Sequence, residues 1–125
     1  RTAHGAVACQ LPGGKPEDVA ALKNDLASAA ISDKIRARLH LAGKVQKSGR
    51  LVAPQDVEAA RQAGATDREI LDTVLIAALF CLYIRYVDGL ATVTPTNSDF
   101  YEALGRRINA RGYTMPPNGY HSLVV

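Results

Sequence analysis

"TDREILDTVLIAALFCLYI", Thr66 to Ile84, decides the fold class of this chain. Thr66 and Glu69 stand in the S/T-x-x-E relation of a capping box, in which each side chain takes up a backbone N–H that a first helical turn leaves unpaired. A helix therefore begins at Asp67. The run Val74 to Ile84 is apolar on every side, so the pattern predicts a long helix, Asp67 to Gly89, surrounded by protein. Eleven uninterrupted apolar residues are too few to span a bilayer. The reading is a central core helix, the most buried of the domain, packed against the helix that carries His4.

Breakers divide the rest of the chain into further helices. Arg1 to Gln10 is helix-compatible and stops at "LPGG", where Pro12 cannot donate a backbone hydrogen bond and Gly13 and Gly14 favour a turn. Pro16 suits the first turn of a second helix through about Ala27, with Glu17 and Asp18 at its positive end and Val19, Leu22 and Leu26 in helical spacing. Ser32 is an N-cap for a third helix through about Lys47. There Ile35, Leu39, Ala42 and Val45 form the expected apolar stripe, while Lys34, Arg36, Arg38, Lys44 and Lys47 read as a solvated face. Pro54 opens a shorter fourth helix with Val57, Ala60 and Ala63, closed by Gly64. Asn97 or Ser98 caps a sixth, which runs through Ile108 to Gly112, and the tail "GYTMPPNGYHSLVV" reads as irregular.

No stretch alternates with period two between hairpin turns, so a sheet has no source. The expected class is all-α, a compact helical bundle forming a single domain over residues 1–125, the size at which one modest core can be buried. "GAVACQLPGGKPEDVAAL" and "VEAARQAGATDREIL" share a helix, a glycine turn and an acidic-start helix, which suggests two related helical hairpins.

Composition excludes several function classes. With 47% hydrophobic and 22% charged residues the chain is neither disordered nor fibrous. Fifteen Lys and Arg against twelve Asp and Glu give +3, too mild an excess to imply nucleic acid. Cys9 and Cys81 make neither a disulfide framework nor a zinc-ligand spacing, and no secretory pattern opens the chain, so a reduced, cytoplasmic setting without a membrane is expected. No phosphate loop or nucleophile elbow is present.

His4 and Cys9 would be the natural pair for a thiolate nucleophile, but five residues apart on a helix they point to different sides. Cys9 and Cys81 read as small buried hydrophobes. His4 shares a helical face with Ala8 and with whatever residue precedes Arg1. Arg85 and Asp88, three apart, are placed to pair and brace the end of the long helix, or to line a pocket.

Taken together, "AHGAVAC", "GKVQKSGRLVAPQDVEAARQAGATDREILDTVLIAALFCLYIRYVDGLAT" and "FYEALGRRINARGY" resemble the carboxymuconolactone decarboxylase and alkyl hydroperoxide reductase D superfamily, most closely its peroxidase-related branch. The resemblance runs from Arg1 to about Tyr113 and is carried best by Gly64 to Thr92. It implies the helical bundle of that family and a thiol-dependent alkyl hydroperoxide reductase, an antioxidant oxidoreductase. Its active helix carries C-x-x-C-x-x-x-H. Aligning that histidine with His4 places the second cysteine directly before Arg1 and the first three residues earlier, with further helices and a catalytic glutamate upstream of them. His4 then belongs to the proton relay.

The resemblance further implies no bound cofactor or metal beyond the cysteine pair. It implies a small hydroperoxide substrate, an external dithiol or lipoyl-type reductant, and a homo-oligomer. The alternatives are a lactone decarboxylase of the same fold, with Arg85 receiving a carboxylated substrate, and a non-enzymatic helical oligomer.

Overall fold

In the computed structural model, residues 2–11, 14–27, 29–115, 117 and 119 are described, and among them there is no strand. Six α-helices occur: α1 (Thr2–Cys9), α2 (Pro16–Asn24), α3 (Asp33–Lys47), α4 (Pro54–Gln62), α5 (Asp67–Gly89) and α6 (Ser98–Arg111), with a short 3₁₀ turn at Gly49–Leu51 between α3 and α4. The class is all-α, as the punctuation of the sequence requires. Arg1, Pro12, Gly13 and most of the expected irregular tail lie outside the described residues.

The helix starts follow local chemistry. Ser32 Oγ accepts from Ile35 N–H at 3.3 Å at the head of α3. The capping box of α5 closes both ways: Thr66 Oγ1 accepts from Glu69 N–H at 3.2 Å, and Glu69 Oε2 accepts from Thr66 N–H at 2.8 Å. Asn97, rather than Ser98, caps α6, its Oδ1 accepting from Asp99 N–H at 2.9 Å. α2 stops at Asn24 instead of Ala27 because Asp25 turns extended and its carboxylate accepts from Ala27 N–H at 2.9 Å, a local alternative to the helical bond.

Helix ends are equally chemical. Gly64 has φ of +89° after α4, with Ala65 N–H on Ala60 O and Gly64 N–H on Arg61 O, the two bonds of a Schellman motif. Its customary apolar contact is present too, since Ala60 and Ala65 are both buried in one cluster. α5 ends in the same motif, but the left-handed position falls on Ala91, with φ of +49°, and not on Gly89. Thr92 N–H bonds to Val87 O and Ala91 N–H to Asp88 O. The helix closes on Gly89, and the left-handed turn two residues later places an alanine where a Cβ is disfavoured. Ala91→Gly is therefore expected to stabilise the chain by about 1 kcal/mol, read as a higher urea midpoint at unchanged slope.

The chain forms two compact units, residues 1–29 with 93–125, and residues 30–92. In the first, α1 packs on α6 and α2. Close approach is possible because both contacts use glycine. A Cβ on Gly105 of α6 would lie 3.0 Å from the Ala6 carbonyl carbon, and one on Gly5 would lie 3.3 Å from Val19 of α2. Asn109 Nδ2 donates to Val7 O at 3.1 Å and Gln10 Nε2 to Glu102 O at 3.2 Å, tying α1 and α6 together by side chain to backbone bonds.

In the second unit α3 and α5 run parallel, joined by the 3₁₀ turn and α4. Lys34 meets Glu69 at 2.7 Å, Arg38 Nε donates to Thr73 Oγ1 at 2.9 Å, and Cys81 Sγ lies 3.8 Å from Gln46 O. All three pairs are separated by 35 residues, so the helices stay in register over three turns. Thr73 is buried and fully used, since its hydroxyl also donates to Glu69 O at 2.6 Å.

Three expectations are corrected here. The core of this unit is Leu41, Ala60, Ala65 and Ile70, with Ala37, Val52, Val57 and Val74 against it. It lies at the first turns of α5 and not along Val74–Ile84. Leu71, Leu75 and Tyr83 are 67%, 57% and 57% exposed, and the apolar 18-residue window of α5, of mean hydropathy 1.9, is only 6% buried. The reason is length: α4 is nine residues long, and α3 ends opposite Cys81 while α5 continues to Gly89. At 23 residues α5 is also long and apolar enough to cross a membrane, a property it shares with core helices of soluble proteins. α1 and α5, expected to pack together, belong to different units.

The second correction concerns α3, whose buried residue is Leu41, whereas Ile35 and Leu39 of the expected stripe are exposed. Its basic residues supply the third. Lys34, Arg38 and Lys44 are structural braces instead of a solvated face, with Lys44 Nζ 2.6 Å from Asp56 Oδ1.

Candidate functional site

His4 sits in the first turns of α1, the helix wedged against α6 and α2 by Gly105 and Gly5. Its imidazole faces the Tyr113 ring just beyond α6, with centroids 6.2 Å apart and planes tilted by 31°. The residue is solvent-accessible, yet the partial burial of its ring lowers its pKa from the ordinary 6.5. Loss of water disfavours the charged imidazolium. At neutral pH His4 is therefore an uncharged proton acceptor within reach of solvent.

Cys9 is half-buried and lines a groove of about 550 Å³ between α1, α2 and α6, together with Gly5, Lys23, Tyr101 and Glu102. His4 is not part of that lining, so the structure does not bring the two together. Cys81 is half-buried also, against the expectation of full burial, because it lies at the level where α3 ends.

Arg85 and Asp88 part company. Arg85 lines a second groove, of about 950 Å³, formed where the end of α3 and the 3₁₀ turn leave the side of α5 uncovered. Asp88 is not in its lining, and the expected ion pair between Arg85 and Asp88 is absent among the described residues. Both residues are exposed. Among the described residues no three His, Cys, Asp or Glu side chains gather as a metal site would need.

The ionisable groups with the firmest partners lie elsewhere, at the α3–α5 and α3–α4 contacts. Glu69 is held at about 2, first by the hydrogen bond from Lys34 and next by the Thr66 N–H. Asp56 is likewise lowered, chiefly by Lys44 and then by the Ala53 N–H that it accepts at 2.7 Å. These groups brace helices. Because the folded state depresses the Glu69 pKa, its contribution is complete above its ordinary value of 4.5 and is lost as the pH falls toward 2. Urea midpoints measured from pH 6 down to pH 2 are expected to fall less steeply below pH 4.5 for Glu69→Gln than for the parent chain.

Tyr113 and the groove at the end of α3 are the two features that reading the sequence did not supply. The first carried a faint signal, an aromatic residue directly after the glycine that ends α6. Comparison with protein-family models, curated proteins and solved structures returns no match to this chain.

Proposed function

We propose that the chain is part of a thiol-dependent alkyl hydroperoxide reductase in which His4 moves the proton. The observation that supports this most directly is the state of His4: on a helix fixed on two sides, solvent-accessible, beside an aromatic ring, and with a pKa lowered by burial. The likeness in sequence to the peroxidase-related branch supplies the nucleophile, a cysteine directly preceding Arg1 and hence one helical turn from His4.

Neutral His4 accepts the thiol proton, and the thiolate attacks the terminal oxygen of the hydroperoxide. The O–O bond breaks, the sulfur becomes a sulfenic acid, and the alkoxide leaves with the proton returned by His4. The thiol of the other cysteine displaces water from the sulfenic acid to give a disulfide, which an external dithiol reduces.

A protein carrying C-x-x-C immediately before Arg1 is expected to reduce an organic hydroperoxide with a dithiol as reductant. The 125-residue chain is expected to show no turnover, since Cys9 lines a groove whose lining does not include His4, and Cys81 belongs to the other unit. Turnover by the 125-residue chain would overturn the assignment.

The protein is further expected to be a homo-oligomer. Exposed Leu71, Leu75, Ile76 and Tyr83 on one helix make a larger apolar surface than a lone chain in water ordinarily presents. Light scattering is expected to give a mass above that of one chain at micromolar concentration, and a stable monomer would count against this.

A further inference from the structure

The groove beside Arg85 has a polarity that the proposed peroxidase does not use. Its α5 side is the row Val74, Ala78, Leu82 and Arg85, with Cys81 alongside, and its other side is the end of α3 at Lys47. Three to four residues separate successive members, so they share one face of α5. From Val74 to Arg85 the helix rises about 16 Å, roughly the length of a medium acyl chain. One end of this trough is apolar, and the other carries two cations.

Those cations are uncommitted. Lys44, a turn earlier on α3, is taken by Asp56. Among the described residues Lys47 and Arg85 make no side-chain hydrogen bond or ion pair, and no carboxylate lines the groove. An apolar trough ending in unneutralised positive charge complements a molecule with an apolar tail and a negative head. A guanidinium can meet a carboxylate through two parallel hydrogen bonds.

We infer that the groove where α3 ends and α5 continues binds an amphipathic carboxylate of medium chain length, its head on Arg85 and Lys47 and its tail along Leu82, Ala78 and Val74. The site lies within residues 30–92, independent of His4 and of any cysteine pair.

The test is calorimetric titration of the 125-residue chain with dodecanoate below its micellar concentration, with dodecylamine and acetate as comparators. Saturable binding of one dodecanoate per chain is expected, with neither comparator matching it. Arg85→Gln, an exposed change that leaves the core untouched, is expected to raise the Kd about tenfold. Ala78→Phe, which fills the trough, is expected to abolish binding. In Cys9→Ser protein, dodecanoate is expected to slow alkylation of Cys81, which reports on this groove alone.

Four outcomes would overturn the inference. Equal binding of dodecylamine means adsorption to the apolar surface of α5. Equal binding of acetate means a site for small polar acids. Protection of Cys81 that rises with protein concentration and ignores dodecanoate means that a second copy fills the groove. Sedimentation with anionic phospholipid vesicles, without binding of monomeric dodecanoate, means that the surface meets a membrane.

Discussion

Replacing His4 by alanine, in a protein that carries the cysteine pair, is expected to lower hydroperoxide turnover by roughly 10²–10⁴-fold, the loss typical of a positioned acid–base group. In the proposed reaction one imidazole makes two proton transfers. A neutral ring must take a proton from the attacking thiol, and the resulting imidazolium must give it to the departing alkoxide. A lowered pKa favours both steps at neutral pH, since it keeps the resting ring unprotonated and makes the charged ring a willing donor. Steady-state rates with an organic hydroperoxide and a dithiol would measure the effect. Rates within a factor of three of the parent would show that another group moves the proton. Alkylation of the cysteine pair as a function of pH separates the two steps, because loss of the base raises the pH at which the thiol reacts, whereas loss of the acid alone leaves it in place.

The largest loss of stability is expected from Leu41→Ala. Leu41 is 1% exposed and is the largest side chain buried to this degree among the described residues. It is the centre of the cluster joining α3, α4 and the head of α5. Truncation removes three buried carbons and leaves a void that short helices on either side fill poorly, so a cost of about 3 kcal/mol is expected. That is a large fraction of the total stability of a small domain. Urea denaturation at fixed protein concentration would measure it, the concentration being held because association adds to apparent stability. A loss below about 1 kcal/mol would mean that the unit repacks around the void and that the core is less specific than its burial suggests.

The helical class and nearly every helix boundary were legible in the sequence, because they are decided within four residues by groups that must find partners. Ser32, Thr66 with Glu69, Asn97 and Gly64 each act on the backbone beside them, and Pro16 and Pro54 fix the turns they open. Burial was not legible in the same way. An apolar run such as Val74–Ile84 states that a helix wants cover, whereas the lengths of its neighbours decide whether cover arrives within the chain. The braces Lys34–Glu69 and Arg38–Thr73 were hidden for a related reason: pairs 35 residues apart leave no local trace, so basic residues that tie two helices together look like a solvated face. At the candidate site His4 was visible as a lone titratable group near neutrality. Its neighbour Tyr113 was not, because more than a hundred residues separate them.

The constant offset between α3 and α5 also governs which changes of chain length the protein can absorb. The segment between the two helices sets how far the chain must reach, and not which residues meet. One or two residues added at the exposed Gly49–Leu51 turn lengthen a connection at small entropic cost and leave every pair where it was. A single residue added between Arg38 and Leu41 rotates everything beyond it by about 100°. That rotation keeps Lys34 on Glu69 but carries Gln46 away from Cys81 and turns Leu41 out of the core. Variation in length among any relatives of this chain should therefore collect at the turn between α3 and α4 and spare the interiors of α3 and α5.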